Sequence, residues 1–251
     1  MSTNGTDMNF DDNAEAAPIA QKSRWEDYLD VFFSPADLFR RRGQDSLAVP
    51  LITLLVLATA FYYILLPAQS IVIRASMSGM TPEQAAKMPE SMIGIMTLAG
   101  GLAVPIKYLI NVTISAGILW VIARLFDTRP AFREMMIVTT YAGFIMLIAQ
   151  IAGSLMVMIQ GEANFDMMKA SFGPLRFMDV KSMPGPLVGF LSRLDIFKLW
   201  EAVIWCIGFQ VATGVTRSKA AIAAAATWML WGLPGMLGGN AMKNTANFKI
   251  E

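Results

Sequence analysis

Five runs of predominantly apolar residues, separated by polar segments, set the strongest constraint on how this chain can fold. A bilayer core takes about 20 consecutive apolar residues as a helix. Backbone polar groups find no water in lipid, so a single spanning segment of this kind must be helical. The sequence therefore predicts an all-α, polytopic membrane helix bundle of about five transmembrane helices. We place the crossings at residues 48–66, 103–123, 135–159, 196–215 and 220–239.

The second apolar run, residues 92–122, is too long for one perpendicular crossing and too short for two crossings with a turn. We therefore expect residues 92–102 to form an outward extension or a surface segment beside crossing two. The last two runs are separated only by residues 216–219, which predicts an antiparallel hairpin. Small residues on crossings three and four permit close helix contacts: Ala149, Gly153, Gly208 and Ala212.

The composition argues against several classes of function. Apolar residues make up 55% of the chain and charged residues only 16%, whereas soluble domains carry roughly 25% charged residues. A net charge of +1 does not favour a nucleic-acid partner, which needs a basic surface. The chain has no histidine, and its single cysteine, Cys206, can form no intrachain disulfide. Zinc-protease, serine-hydrolase and phosphate-loop motifs are absent from the sequence. We therefore expect no catalytic residue, no metal, no cofactor and no enzymatic activity.

The segment before the first crossing has a pattern of its own. Residues 1–22 are polar and acidic and are predicted to be a disordered tail, ahead of a membrane domain at 23–240 and a short tail at 241–251. Aromatic residues from Trp25 to Phe33 recur at helical spacing, and Ser34-Pro35 can begin a second short helix that ends in three arginines. This pattern predicts an N-terminal amphipathic helix in the headgroup region. The alternative is a helix packed on the protein's own loops. The candidate membrane-surface or partner contacts are Trp25, Phe32, Phe33, Phe39, Arg40, Arg41 and Arg42.

Basic residues near the helix ends predict the orientation. They are concentrated before crossing one, between crossings two and three, and between crossings four and five. The long segment at 160–194 mixes basic with acidic residues and counts for less in the positive-inside rule. We therefore expect the N-terminus to be cytoplasmic and the C-terminus to lie outside.

Polar side chains within the apolar runs are costly in lipid unless they are paired or face water. We hypothesise that those on crossings two, three and four form one cluster that faces the bundle interior, in the outer third of the membrane. The alternative is that Lys107 and Lys198 extend to the outer headgroups while Glu201 pairs with Lys198. The proposed cluster consists of Lys107, Asn111, Gln150, Ser154 and Glu201.

Three sequence segments resemble the Yip family, membrane proteins named for interaction with Ypt/Rab GTPases, and are most similar to its bacterial branch. They are Val31-Phe32-Phe33-Ser34-Pro35 with Phe39, the loop 125–133 leading into Tyr141-Ala142, and the link 213–221. The resemblance covers roughly residues 25–240. It implies a cytosolic N-terminus, no known catalytic residues and, for the bacterial branch, a plasma (inner) membrane location. The chain lacks the Asp-Leu-x-Gly-Pro signature of the eukaryotic branch, so Rab binding is not expected.

These observations favour a non-enzymatic membrane scaffold or accessory subunit that binds another membrane protein or itself, with the lipid bilayer as its other partner. The competing possibility is a transporter, channel or lipid-moving protein that uses the outer polar cluster.

Overall fold

The structure is a computed structural model, and it describes residues 25–77, 90–162 and 165–237. Within these ranges the regular elements are all helical. The predicted tails at 1–22 and 241–251 lie outside the described residues. The α-helices are α1 (Asp27–Phe33), α2 (Pro35–Arg42), α3 (Ala48–Ile64), α4 (Leu66–Met77), α5 (Glu90–Leu125), α6 (Phe132–Gln160), α7 (Gly185–Leu191), α8 (Ile196–Thr213) and α9 (Arg217–Leu237), with short 3₁₀ helices at Pro174–Phe177 and Val180–Ser182.

Four single helices in the described part of the chain are long and apolar enough to cross a membrane: α5, α6, α8 and α9. Helices α3 and α4 qualify together as a fifth span, but they are bent by 76° at Leu65. The structure thus agrees with the prediction of an all-α bundle with about five crossings. It differs at the first crossing, where the apolar run ends in a sharp bend.

In crossing two, residues 92–102 form a continuous helical extension of the crossing, which is the first of the two predicted alternatives, because the helix α5 runs without a break from Glu90 to Leu125. Its 36 residues correspond to about 54 Å, which exceeds the hydrocarbon thickness. The end of α3 supports the extra length: the Tyr62 hydroxyl donates to the Thr97 carbonyl at 2.9 Å, and the Tyr63 hydroxyl donates to the Leu98 carbonyl at 3.1 Å. Gly100 makes room for this contact, since a Cβ there would lie 2.3 Å from the Tyr62 hydroxyl.

Helix α6 occupies the centre of the bundle. Eleven consecutive residues, 135–145, are buried, so this half of α6 is covered on every side. Its neighbours are α1, α3, α5 and α8. A helix that is apolar all round and enclosed in this way acts as the core around which the other helices pack.

The two ends of the bundle are built from different elements. At one end, α1 and α2 lie with the start of α6, the end of α8 and the loop at 126–131; there Arg133 donates to the Gln44 carbonyl, and Phe126 packs on Phe209. We call this the wedge end. At the opposite end, α7 packs on α9 so closely that a Cβ at Gly189 would meet the Gly235 backbone. The described chain therefore starts at the wedge end, and α9 finishes at the opposite one.

Candidate functional site

Helices α1 and α2 form a hairpin, here called the N-terminal wedge (residues 27–42), that is inserted against α3, α6 and α8. Its arms are joined by ion pairs between the first residues of α1 and the last residues of α2. Arg41 contacts Asp27 at 3.2 Å and also Asp30, while Arg42 contacts the other oxygen of Asp27 at 2.9 Å. Arg42 also contacts Asp45 at 2.8 Å. These contacts hold the two arms together where the hairpin opens.

Burial and pairing act on the Arg41 guanidinium in opposite directions. Burial alone would lower its pKa, but the hydrogen bonds to Asp30 and Asp27, together with their negative charges, outweigh burial and leave the pKa above its ordinary value. Asp27 is only 1% exposed. The arginine therefore stays charged as the counterion of nearly buried carboxylates.

The inner face of α2 is anchored in the bundle by Phe39. Its ring is 2% exposed and lies edge-on to Tyr141 at a centroid distance of 6.2 Å. Gly208 on α8 provides the space for it, because a Cβ at this position would lie 2.5 Å from Val138 Cγ1 and 3.0 Å from Phe39 Cε2. Gly208, which was predicted to permit close contact between helices, thus provides a slot in which the Phe39 ring packs.

Helix α1 has one face towards the protein and one away from it. Tyr28 packs on Phe144 at 5.0 Å and its hydroxyl donates to Thr53 Oγ1 at 3.1 Å. Phe32 packs edge-on against Trp200 of α8 at 5.8 Å. The opposite face carries exposed apolar side chains at positions i, i+4 and i+8: Trp25, Leu29 and Phe33.

Of the seven predicted surface contacts, some are therefore packed within the protein and others are exposed. Phe39, Arg41 and Arg42 contact residues of other helices of the chain, and Phe32 is half-buried. Arg40 is exposed and pairs with Asp37 at 2.8 Å. Trp25 and Phe33 are exposed. The acidic partners Asp27 and Asp30 were not among the sequence-based candidates, although their position 11 to 15 residues before the arginines was available as a signal.

A cleft of about 460 Å³ lies beside the wedge, between α2 and α8. Apolar residues and small residues form much of its lining, while Arg40 and Glu134 supply charge. The lining residues are Phe39, Arg40, Arg41, Gly43, Gln44, Glu134, Val138, Gly208, Val211 and Ala212.

Two members of the predicted polar cluster have partners on other helices. The Tyr108 hydroxyl donates to Gln150 Oε1 at 3.0 Å, and Gln150 Nε2 donates to the Ala58 carbonyl at 3.4 Å. Ser154 Oγ accepts from Gln69 Nε2 at 3.0 Å. These bonds join α5 and α3 to α6, and α4 to α6. The sequence analysis did not select Tyr108, because tyrosine is common in apolar runs. It did not select Gln69, because this residue lies after residue 66, the predicted end of crossing one.

Glu201 on α8 lies within electrostatic range of Tyr108, the residue that donates to Gln150. Its side chain is buried, and the charges that act on it are those of Arg193 and Lys198. Arg193 donates to the Trp228 carbonyl at 3.2 Å, and Lys198 donates to the Ser192 carbonyl at 2.8 Å. Burial lowers the pKa of the Arg193 guanidinium, and the Glu201 charge opposes this shift. Among the described residues, no hydrogen bond or ion pair reaches the Glu201 carboxylate itself.

The hydrogen bonds of Gln150, Ser154, Arg193 and Lys198 do not include Lys107 or Asn111. The structure does not bring Lys107 together with Glu201, because the Lys107 side chain is exposed on the outside of α5. Asn111 is half-buried. Lys107 is separated from the end of α5 at Leu125 by 18 residues, about 27 Å, which is close to the hydrocarbon thickness. Its ammonium can therefore reach the headgroups.

The family model described as the Yip1 domain matches residues 29–238, which include most of the wedge and all the described spanning helices. No curated protein and no solved structure matches the chain.

Proposed function

Because this chain belongs to the Yip1 domain family, we propose that it is a non-enzymatic integral membrane scaffold or accessory subunit that binds another membrane protein or itself. The family and the apolar spanning helices support an integral membrane role. The proposed contact surface comprises the cleft between α2 and α8 and the neighbouring loop at 126–132.

The cleft is the observation that carries this proposal. It has a volume of about 460 Å³ at the end of the bundle where the ion-paired wedge meets α8. The small side chain of Ala212 lines the α8 side of the cleft, which permits close approach of a helix from another protein. Arg40 lies at its edge with 59% of its side chain exposed and can supply a polar contact at the rim.

Filling the cleft tests the proposal. Ala212→Trp places a large side chain in the cleft, and Ile222→Trp on the exposed face of α9 is the matched control. We expect chemical crosslinking in native membranes, followed by purification in mild detergent, to yield a defined complex for the wild type and the control. Ala212→Trp should lose it. A wild-type chain that purifies as a lone monomer after crosslinking would contradict the proposal.

The proposed location is the plasma (inner) membrane of a bacterium, with a cytoplasmic wedge end and the C-terminus outside. The arginines of the wedge and the basic residues near the loops at 126–131 and 214–216 support this orientation. Reporter fusions at the two termini test it, since they should report opposite compartments. Reporters on the same side would contradict the topology.

A transporter, channel or lipid-moving protein is the second candidate, and the buried carboxylate of Glu201 favours it. An ionisable group inside a membrane protein often marks a substrate or ion path. Replacement of Glu201 by alanine should then abolish flux in liposomes while the bundle stays folded, and Lys107→Ala, on the outside of α5, is the control that should retain flux. If Glu201→Ala only destabilises the bundle, the transport function is refuted.

A further inference from the structure

The depth of the N-terminal wedge can be measured along the helices that it contacts. Phe32, next to its tip, packs against Trp200, and α8 continues for thirteen residues from Trp200 to its end at Thr213. This length corresponds to about 20 Å of helix. Helix α8 is a candidate span of 18 residues. The tip of the wedge therefore lies about 20 Å along α8 from the wedge end, inside this span.

The turn at the tip suits an environment without water. No charged residue occurs between Val31 and Ala36. Pro35 has no N–H group, and the N–H groups of Asp37 and Leu38 donate to the Ser34 carbonyl at 3.1 Å each. The Ser34 N–H donates to the Asp30 carbonyl at 2.7 Å. The turn thus exposes few of the backbone donors that a helix start normally leaves unpaired.

The face of α1 that points away from the protein is apolar and exposed. Phe33 is 81% exposed and Trp25 is 62% exposed. The helices that the wedge contacts also carry exposed apolar residues, among them Ile52 on α3 and Val203 on α8. On the exposed flank of α2, Asp37 is neutralised by Arg40, whose long side chain can extend towards the headgroups. The charges of Asp27, Asp30, Arg41 and Arg42 pair at the open end of the hairpin.

We infer that the N-terminal wedge is a re-entrant membrane element whose exposed face, Trp25, Leu29 and Phe33, contacts the acyl chains of the leaflet at the wedge end. The hairpin enters and leaves on one side of the bilayer. It therefore adds no crossing to the topology. This arrangement differs from a helix lying flat among the headgroups, because the tip extends down the side of α8. It does not depend on the proposed scaffold function.

Site-directed cysteines in liposomes of defined phospholipid composition test this inference. Cys206→Ser removes the single native thiol and provides the background. Phe33→Cys reports the tip, and Gln44→Cys reports the exposed residue just after the hairpin. A water-soluble maleimide should react about tenfold more slowly at position 33 than at position 44, because thiolate is scarce in apolar surroundings. The two rates should become equal in denaturing detergent. Equal rates in the intact liposomes would overturn the inference.

Spin labels at the same positions separate lipid from protein as the cause of protection. A label at position 33 should be accessible to oxygen, which concentrates in the acyl region, and inaccessible to a water-soluble nickel chelate. A label at Val31, which is fully buried in the protein, is the matched control and should be inaccessible to both. If position 33 is accessible to the nickel chelate, the tip lies in water. If it is inaccessible to both agents, it is covered by protein. Either result refutes the contact with acyl chains.

Discussion

The wedge and the surroundings of Glu201 handle buried charge in different ways. In the wedge, Asp27 and Asp30 are in direct contact with arginines, and Arg42 is shared between two carboxylates. In the bundle, Glu201 is buried near Arg193 and Lys198, yet both cations donate to backbone carbonyls. Directly paired charges fix a geometry, whereas a buried carboxylate without a direct partner keeps a free-energy cost. The ion pairs of the wedge thus hold its two helices together, whereas the Glu201 carboxylate makes no direct ion pair with Arg193 or Lys198.

Arg41→Leu should have the largest effect, because it removes the cation that contacts both Asp27 and Asp30, while the contact of Arg42 with Asp27 remains. We expect a loss of about 3–5 kcal/mol in the free energy of unfolding. Arg40→Leu breaks only the exposed pair with Asp37 and should lose no more than about 1 kcal/mol. Unfolding in mild detergent titrated with a denaturing detergent and followed by circular dichroism measures both. Equal losses would remove the distinction between the ion pairs of the wedge and an ordinary surface ion pair.

Gly208→Ala comes next, since the new Cβ would collide with Val138 and crowd Phe39. Overpacking of this kind should lower the free energy of unfolding by about 1–3 kcal/mol. Gly153→Ala on α6 is the matched control. It meets nothing within 4 Å and should gain up to about 1 kcal/mol from the helix preference of alanine. The same unfolding titration applies, and adding Val138→Ala to Gly208→Ala should restore part of the loss. No loss in Gly208→Ala would mean that the slot for Phe39 is not tightly packed.

Tyr108→Phe should have a smaller effect. It removes the hydroxyl that donates to Gln150 while keeping the ring in place. Hydrogen bonds between membrane helices contribute about 0.6 kcal/mol on average, so we expect a loss of that size. A double-mutant cycle with Gln150→Leu measures the coupling, and a coupling energy of zero would contradict the bond.

Glu201→Gln should have the smallest effect on stability, because it removes a charge that has no direct partner while keeping the shape of the side chain. We expect a loss of no more than about 0.5 kcal/mol, or a gain. A loss comparable to that of Arg41→Leu would show that Glu201 is as firmly paired as the wedge carboxylates. The contrast between the two regions would then fail.

The spanning helices could be predicted because apolar runs of sufficient length have few alternatives in lipid. Boundaries were less predictable. The length of the apolar run at 92–122 left open whether its first part was an extension or a surface segment, and α5 continues through it with Tyr62 and Tyr63 supporting its extended half. The bend at Leu65 precedes Pro67, which has no N–H group to continue the helix, and α4 then contacts α5 and α6 in a direction that hydropathy does not record.

The candidate sites depended more strongly on tertiary contacts. The arginines before crossing one looked like headgroup ligands because basic residues are common there. Their pairing with Asp27 and Asp30 requires the chain to turn at Ser34 and bring distant residues together. Similarly, Lys107 and Tyr108 are adjacent on one helix, and the sequence does not show which of the two side chains faces the bundle. In the structure Tyr108 contacts Gln150, whereas Lys107 is exposed.

The wedge precedes in the chain the helices on which it packs, and this order has a consequence for biosynthesis. The wedge leaves the ribosome first, yet two of the surfaces that hold it, α6 and α8, are made much later. Phe39 has no slot until Gly208 has entered the membrane. In a nascent chain that ends before α8, the wedge therefore lacks the surface on which Phe39 packs. The hairpin can reach its final packing only when nearly the whole domain has been translated.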